Sequence, residues 1–255
     1  MLAAMVRVSW MTAMQYRGNF LVEMVGGGAG AAAMVLPLIF VFDHTTLVAG
    51  WSFPEALLVT AFFLFLSGVM GGLVEPNLGA IVEGVRSGQL DYVLLKPVDA
   101  QLQCSFRRVS PSRIWDFVAA TVVGGWALRS LPAPGLPEVA ACAGLAIAGI
   151  AAMYSLWVGV VCLSFYFVRV DNLRYLLDAV TDAGRWPISV YGGWIRIVLT
   201  TLIPVGLVTS FPAMALIGRL DAAMAIQSVV VAVVGLGLSR VAWLRALRHY
   251  ASASS

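Results

Sequence analysis

Long runs of apolar residues limit what this chain can fold into more than any other feature of its sequence. A helix of about 20 such residues crosses the roughly 30 Å hydrocarbon core of a bilayer. Of the 255 residues, 60% are hydrophobic and 11% are charged, whereas about a quarter of the residues of a soluble domain are charged. Such a chain cannot cover itself with a water-facing surface. The sequence therefore predicts an all-α integral membrane protein.

Six apolar runs are long enough to be transmembrane helices. Turn-forming sequence separates them, most clearly at residues 51–54 and at the proline-rich residues 132–137. The predicted spans are residues 21–42, 56–74, 114–131, 139–168, a fifth that begins at 188–197 and is interrupted by Pro204 and Pro212, and 222–244. We accordingly expect three regions, a cytoplasmic amphipathic segment at 1–20, a six-helix transmembrane domain at 21–244 and a cytoplasmic tail at 245–255.

The positive charges predict the direction of the spans, because the cytoplasmic flanks of membrane helices retain lysine and arginine. With six spans, only Arg129 and Arg219 face outward. The other fourteen basic residues face inward: Arg7, Arg17, Arg86, Lys96, Arg107, Arg108, Arg113, Arg169, Arg174, Arg185, Arg196, Arg240, Arg245 and Arg248. Both termini are therefore expected in the cytoplasm, and the expected location is a plasma membrane such as the bacterial inner membrane.

The loop between the second and third predicted spans contains an amphipathic helix. Four apolar residues recur at positions i, i+3, i+4 and i+7 and so share one face, namely Leu78, Ile81, Val82 and Val85. Pro76 marks the start of this helix and Gly88 its end. Glu83 and Arg86 lie on the opposite face. The pattern fits a helix that lies on the bilayer and equally one that forms a docking surface for another protein.

A second amphipathic helix is predicted between the fourth and fifth spans. Its apolar residues have the same spacing, and they are Leu173, Leu176, Leu177 and Val180. Asp171 is suited to cap its start and Gly184 to end it. Arg174, Asp178 and Asp182 form its polar side. We expect this helix to be cytoplasmic as well, with the same two alternatives for its role.

Few of the groups that catalysis requires are present. The two histidines, His44 and His249, are predicted on opposite sides of the membrane, so we expect no metal site. The only lysine, Lys96, does not belong to a phosphate-binding loop, so another chain must hydrolyse any ATP. Ser67 lacks a histidine within the spans to act as its base. No basic run with interleaved aromatic residues indicates nucleic-acid binding.

Small and acidic residues in the spans have structural interpretations. The glycines at residues 26–30 favour close helix packing over a ligand role, as does the pair Ser67-Gly68. Glu23, Glu75 and Asp116 lie near predicted cytoplasmic ends. Snorkelling of such a carboxylate, or its interhelical pairing with an arginine such as Arg17 or Arg113, is favoured over a proton relay.

The segment that follows the first amphipathic helix resembles a known family. Type-2 ATP-binding-cassette (ABC) transporter permeases carry a Gly-x-Leu-Asp-x-x-Leu-Leu-x-Pro segment after their second span. The residues of this chain that match it are Gly88, Leu90, Asp91, Leu94, Leu95 and Pro97. The proline-punctuated stretches at residues 187–191, 203–205 and 210–213 are similar to the fifth span of the same permeases.

This resemblance implies an export-type permease subunit that is not itself an enzyme. It implies a second permease subunit, identical or related, and two cytoplasmic ATPase subunits that hold ATP and magnesium, with no cofactor in this chain. In that family the helix after the second span is a coupling helix seated on the ATPase. That role would fall to Leu78, Ile81, Val82, Glu83, Val85 and Arg86. The motifs indicate neither the substrate nor the direction of transport.

Two other classes of function remain open. A stand-alone secondary carrier would show inverted repeats with broken helices at matching places in both halves, whereas only the second half has the Pro204 and Pro212 interruptions. A non-transporting membrane enzyme or scaffold is the third possibility. The three classes differ in their partners, because only the permease requires a separate ATPase.

Overall fold

The computed structural model describes residues 11, 17–105, 108–166, 175 and 178–250. Within these residues the regular elements are helices, which confirms the predicted all-α class. The α-helices are α1 (Arg17–His44), α2 (Phe53–Val69), α3 (Glu75–Ser87), α4 (Asp91–Leu94), α5 (Ala100–Ser105), α6 (Ile114–Arg129), α7 (Leu136–Leu163), α8 (Gly193–Thr201), α9 (Val205–Val208), α10 (Ser210–Leu216) and α11 (Ala222–His249). Short 3₁₀ turns occur at Pro111–Arg113, Asp182–Arg185 and Ile188–Val190.

α2 runs antiparallel to α6, whereas α7 and α11 run parallel to each other. The ring of Phe53 at the start of α2 packs 5.7 Å from the ring of Trp126 near the end of α6, and the other end of α2 approaches Phe117 through Gly68. Phe165, just after α7, packs 5.9 Å from Trp243 near the end of α11. The bundle therefore has two ends, which we call the turn end, at residues 45–52, and the motif end, at residues 88–105.

A tight turn closes the connection between α1 and α2. Val48 and Trp51 exchange two backbone hydrogen bonds of 3.0 Å, and Ala49 and Gly50 between them have φ values of 49° and 82°. Positive φ at both central residues is the geometry of a type I′ turn. The indole of buried Trp51 donates a 2.7 Å hydrogen bond to the hydroxyl of Ser189. Ser189 is thereby fixed at the turn end.

The second predicted span and the first predicted amphipathic helix form one continuous helix, Phe53–Val85. A π-helix at Met70–Val74 joins α2 to α3, and the amide of Glu75 donates to the carbonyl of Met70, five residues earlier. One extra residue per turn of this kind preserves the helix while changing its register. The amphipathic segment is therefore the end of a membrane helix, and its prediction as a separate helix in a loop is wrong.

The predicted fifth span is also wrong as an ordinary crossing. α8 and the helical segment Val205–Leu216 are bent by 68° around Pro204. Ser189, shortly before the pair, lies against the turn, and Arg219, shortly after it, bonds to the carbonyl of Gly50. A segment that begins and ends at the same end of the bundle enters and returns. Its proline breaks, which suggested an irregular span, instead allow this reversal.

The second predicted cytoplasmic helix lies mostly outside the described residues and stays a prediction. At its end, the carbonyl of Arg185 accepts a 3.5 Å hydrogen bond from Thr60, and Gly184 packs against Phe63 and Val205. Thr60 and Phe63 belong to the half of the continuous helix Phe53–Val85 that is nearer the turn end. Exposed Asp182, in the same 3₁₀ turn, thus does not lie with α3 at the motif end. Asp178 is half-buried, and Arg174 lies outside the described residues.

These placements change the predicted sidedness of two arginines. Arg185 lies in the half of the bundle nearer the turn end, with Arg129 and Arg219. Gln227, in the first turns of α11, donates a 3.5 Å hydrogen bond to the carbonyl of Thr200, so Arg196, one turn before Thr200, also lies in that half. Tyr166 lies beside His249 at the motif end.

Four described helices are long and apolar enough to cross a membrane, or five if the bent pair counts as one span. The predicted count of six is therefore not confirmed. α6 has 16 residues and a length of about 24 Å, short of a full hydrocarbon core. The described start of α1 and end of α11 both lie at the motif end. The domain boundaries at residues 20 and 244 stay predictions.

Candidate docking and coupling site

The apolar face of α3 is covered by protein. Leu78 and Ile81 are 2% and 4% exposed, while Val82 and Val85 are half-buried, and the helix packs against α5 and α7. The predicted periodicity is therefore correct. A helix lying on the bilayer would turn this face to lipid, so the packing disfavours that alternative for α3. Glu83 is exposed on the other face, and the side chain of Arg86 lies outside the described part of the chain.

Gly88 ends α3 and redirects the chain. Its φ of 74° lies in the left-handed region that glycine adopts readily, and this is the common way for a helix to end. The turn lets Leu90 fold back into the core, where it is 2% exposed and donates its amide to the carbonyl of Gly84 at 3.2 Å. The first two family-motif residues thus have a structural role at a sharp corner.

Asp91 opens the short helix α4 and lies near the end of α11. Burial raises the pKa of Tyr250, the residue after α11, and the neighbouring carboxylate of Asp91 raises it further. An acidic residue in the first turn of a helix also interacts favourably with the helix dipole. Asp91 therefore lies close to the C-terminal end of α11.

The remaining motif residues belong to an exposed apolar surface that sequence reasoning missed. We call it the corner patch, and it consists of Tyr92, Leu94, Leu95, Val98 and Leu102, which are 73%, 40%, 82%, 59% and 60% exposed. Lys96 and Pro97, in the same segment, are exposed as well. Exposed apolar residues this close together in one segment are suited to an interaction site.

A signal for this surface was present in the sequence. Leu90 and Val93 are three residues apart, both are buried, and residues at that spacing share one face of a helix. Leu95, five residues after Leu90, therefore falls outside this face, whereas Leu94, four residues after Leu90, does not. The spacing thus indicates that at least one apolar residue of the motif, Leu95, is exposed.

Asp99 and Arg240 tie the corner to α11. The guanidinium of Arg240 donates hydrogen bonds of 3.2 and 2.5 Å to the two carboxylate oxygens of Asp99 and one of 3.0 Å to the side-chain oxygen of Gln101. The amide of Leu102 donates to Asp99 at 3.0 Å. The hydrogen bond from Arg240, and then that from Leu102, lower the pKa of Asp99, against the opposing effect of burial. Asp99 is thus ionised and paired at neutral pH.

Asn77 joins α3 to the backbone of Arg108, in the segment that precedes α6. Its side-chain nitrogen donates to the carbonyls of Leu73 and Arg108 at 2.6 and 2.7 Å, and its oxygen accepts from the amide of Arg108 at 2.6 Å. The amide side chain therefore pairs with the backbone as a peptide group would. Asn77 is 1% exposed, so these bonds are shielded from water. The backbone amide of Ser110 adds a 2.9 Å bond to the carbonyl of Gly72.

A second polar cluster, also missed in the sequence, lies at the turn end. Arg219 forms a 2.8 Å ion pair with Glu55 and donates to the carbonyl of Gly50 at 3.0 Å. The other oxygen of Glu55 accepts from the amide of Ser52 at 2.8 Å, which completes a capping box at the start of α2. The exit of the bent pair is thereby bonded to the first turn of α2.

The two clusters occupy opposite ends of the same continuous helix. Glu55 lies in the first turn of Phe53–Val85, and Asn77 lies about two turns beyond the middle of that helix towards the corner. A rigid helix with fixed ends carries a displacement at one end to the other. Among the described residues, no group of His, Cys, Asp or Glu side chains could hold a metal ion. The arrangement is suited to docking and transmission of motion.

One of the three carboxylates pairs with an arginine close to it in the sequence and not, as predicted, with one on another helix. Arg113 forms a 3.3 Å ion pair with Asp116 at the start of α6. The guanidinium of Arg113 lies on Gly71 of the π-helix, where an added β-carbon would be 2.5 Å from Nε. The side chain of Glu23 lies outside the described part of the chain.

Comparison with known proteins gives one family. A family model described as "ABC-2 family transporter protein" matches residues 30–254, which is most of the chain. Comparisons with curated proteins and with solved structures give no significant match. The matched region contains the corner patch, the Asp99–Arg240 pair, the bent pair of helices and the turn-end cluster.

Proposed function

Because the chain belongs to the ABC-2 transporter family, we propose that it is the transmembrane permease subunit of an ABC exporter. ATP and magnesium are bound and consumed by two separate cytoplasmic ATPase subunits, and a second permease subunit, identical or related, completes the complex. The family match carries this proposal. A secondary carrier or a scaffold would leave the corner patch without a partner.

The ATPase docks at the motif end. The corner patch supplies apolar contact area, and Glu83 and Lys96 supply charges at its edge. This surface differs from the one expected from the sequence, since Leu78 and Ile81 are buried within the chain and support the docking surface from behind. Glu83, and Arg86 three residues later, remain candidates for contacts with the ATPase.

Docking moves the transmembrane helices through two connections. Asp99 and Gln101 pass a displacement of the corner to Arg240 and so to α11. The helix Phe53–Val85 passes it to Glu55 and Arg219 at the turn end, beside the bent pair. Rigid elements with polar contacts at both ends support a coupling of this kind.

The membrane topology that follows keeps both termini in the cytoplasm. The motif end, where α1 begins and α11 ends, is cytoplasmic, and the turn end is outside. The bent pair is re-entrant from outside. The excess of basic residues at the motif end supports this direction.

The experiment that tests the proposal is co-expression of the chain with its genomically adjacent ATPase. We expect the two to co-purify, and we expect ATP hydrolysis by the complex and none by the chain alone. The variant Tyr92→Ser/Leu95→Ser, on the corner patch, should lower the recovered ATPase at least tenfold. Leu47→Ser, at an exposed leucine of the turn end, is the matched control and should have no effect. Equal recovery of the ATPase with both variants would show that it does not dock on the corner patch.

A further inference from the structure

A cavity of about 800 Å³ lies between α1, the π-helix, α3 and the start of α6. Its volume is in the range of roughly 300–1,000 Å³ typical of sites for small ligands. The cavity extends from the middle of α1 and α2, where Met34 and Leu64 line it, to the polar residues that precede α6. It therefore crosses the level at which lipid headgroups meet the hydrocarbon core.

One wall of the cavity is made of small residues of α1. Gly26, Gly30 and Ala31 line it, and a β-carbon added at Gly26 or Gly30 would meet nothing within 4 Å. The interpretation of the glycine run as helix packing holds only for Gly27, whose added β-carbon would be 3.1 Å from that of Trp115. At Gly26 and Gly30 the missing side chains leave space open.

The opposite wall contains charges of both signs. Arg108 and Arg113 line it together with Glu75, Glu83 and Asp116. Arg113 already pairs with Asp116 through one nitrogen of its guanidinium, and Asn77 holds the backbone of Arg108 in place. A phosphate can accept hydrogen bonds from the remaining N–H groups of the two arginines. A ligand with negative charge alone would be repelled by Glu75 and Glu83, and a ligand with positive charge alone would be repelled by the two arginines. A ligand that carries both charges matches the wall best.

We propose that this cavity binds a phospholipid with a zwitterionic headgroup of the phosphoethanolamine type. The phosphate lies toward Arg108 and Arg113, the ammonium group lies toward Glu75 and Glu83, and the acyl chains follow the glycine wall. Gly71 contributes by leaving room for the guanidinium of Arg113. The site does not depend on an ATPase, so it can be tested apart from the proposed function.

The test is native mass spectrometry of the full chain released from detergent after exposure to equimolar phosphatidylethanolamine and phosphatidylglycerol. We expect phosphatidylethanolamine to be retained in preference. Gly26→Leu/Gly30→Leu, which fills the cavity, should lower its retention at least tenfold, whereas Gly28→Leu should not. Gly28 belongs to the same run and its added β-carbon also meets nothing within 4 Å, but it does not line the cavity. Circular dichroism checks that all variants fold.

Other results would overturn the proposal. Equal retention in the filled variant and the Gly28→Leu control would place the lipid elsewhere. Preference for phosphatidylglycerol would contradict the zwitterionic headgroup. Competition by glycerophosphoethanolamine as strong as by the lipid would show that a free headgroup is the ligand. If the filled variant instead changed the number of chains in the particle and left lipid retention unchanged, a second copy of the chain would be the occupant.

Discussion

Arg240, near the end of the last long helix, donates hydrogen bonds to both carboxylate oxygens of Asp99, which lies 141 residues earlier in the chain. Asp99 lies between Val98 and Leu102 of the corner patch, so this one pair joins the surface proposed to meet the ATPase with a helix proposed to cross the membrane. Two parallel bonds between a guanidinium and a carboxylate fix orientation as well as distance. The pair is therefore a specific target for separating docking from transport.

Removing the charge of Asp99 should uncouple the two activities. In Asp99→Asn, the bidentate pair with Arg240 is lost while the corner patch is unchanged, so the ATPase should still be bound and transport per ATP hydrolysed should fall at least tenfold. Both side chains are partly exposed, so we expect the free energy of unfolding to fall by only about 1 kcal/mol. The readouts are ATPase and transport rates in proteoliposomes.

The control for this experiment is Asp221→Asn, at an exposed aspartate before α11 at the turn end. It should leave both rates unchanged. Normal transport per ATP in Asp99→Asn would remove the Asp99–Arg240 pair from the coupling route.

The same pair predicts a dependence of stability on pH. Because Arg240 and the amide of Leu102 lower the pKa of Asp99 in the folded protein, the pair stabilises the fold above the ordinary aspartate pKa of about 3.9. This contribution is lost as the pH falls through the lowered pKa of the folded state. The difference in melting temperature between wild type and Asp99→Asn should be constant from pH 7 to 5 and shrink below about pH 4. A difference that grew on acidification is incompatible with this pairing.

Cysteine labelling tests the corrected topology. A membrane-impermeant reagent applied to intact cells should label two cysteine variants, Thr46→Cys in the turn region and Val190→Cys at the end of the 3₁₀ turn Ile188–Val190. It should not label Ser87→Cys. The native cysteines are buried. The ordinary fifth span expected from the sequence would put residue 190 near the cytoplasm. Protection of Val190→Cys together with labelling of Thr46→Cys would therefore restore that topology.

Arg219→Gln should destabilise the turn end. The carboxylate of Glu55 has an exposed side-chain fraction of 9%, and without Arg219 it keeps only the bond from Ser52. A poorly exposed carboxylate that loses its ionic partner costs about 1–3 kcal/mol of stability. Thermal unfolding in detergent measures the loss. Arg129→Gln, at another exposed arginine of the turn end, is the matched control and should change stability by less than about 0.5 kcal/mol.

Two glycines of α7 should respond oppositely to alanine. A β-carbon at Gly149 would lie 2.8 Å from the carbonyl oxygen of Leu207 and 2.7 Å from Val208, so the bent pair would have to move. We expect Gly149→Ala to lower stability by about 1–3 kcal/mol. At Gly144 an added β-carbon meets nothing within 4 Å, and alanine should be neutral or stabilise the helix. Equal melting temperatures for the two variants would contradict the close approach of α7 to the bent pair.

Local regularities in the sequence predicted local structure well. The spacing of Leu78 and Ile81 identified a buried face, and Gly88 identified the end of that helix. Arg113 and Asp116, three residues apart, form an ion pair that spacing alone could have predicted, although the expected pairing was between helices. In each case the interacting groups lie within a few turns of one another, so helical geometry alone brings them together.

Features that depend on distant contacts were not predictable in the same way. Asp182 was expected near the cytoplasm because charged residues normally leave the membrane, but its 3₁₀ turn is held beside Thr60 by tertiary contacts. Pro204 marked an interruption without indicating that the chain reverses there. The partners Asp99 and Arg240 lie too far apart in the sequence for any spacing rule to join them.

The π-helix at Met70–Val74 has a consequence for how relatives of this chain should be aligned. Each residue of an α-helix turns the chain by about 100°, so the one additional residue of a π turn rotates everything after it by that angle relative to an unbroken helix. Deleting one residue between Met70 and Val74 would point Leu78 and Ile81 away from the core while leaving their identities intact. In this chain, the number of residues before Leu78 therefore decides which face of α3 is buried, and the identities of those residues do not.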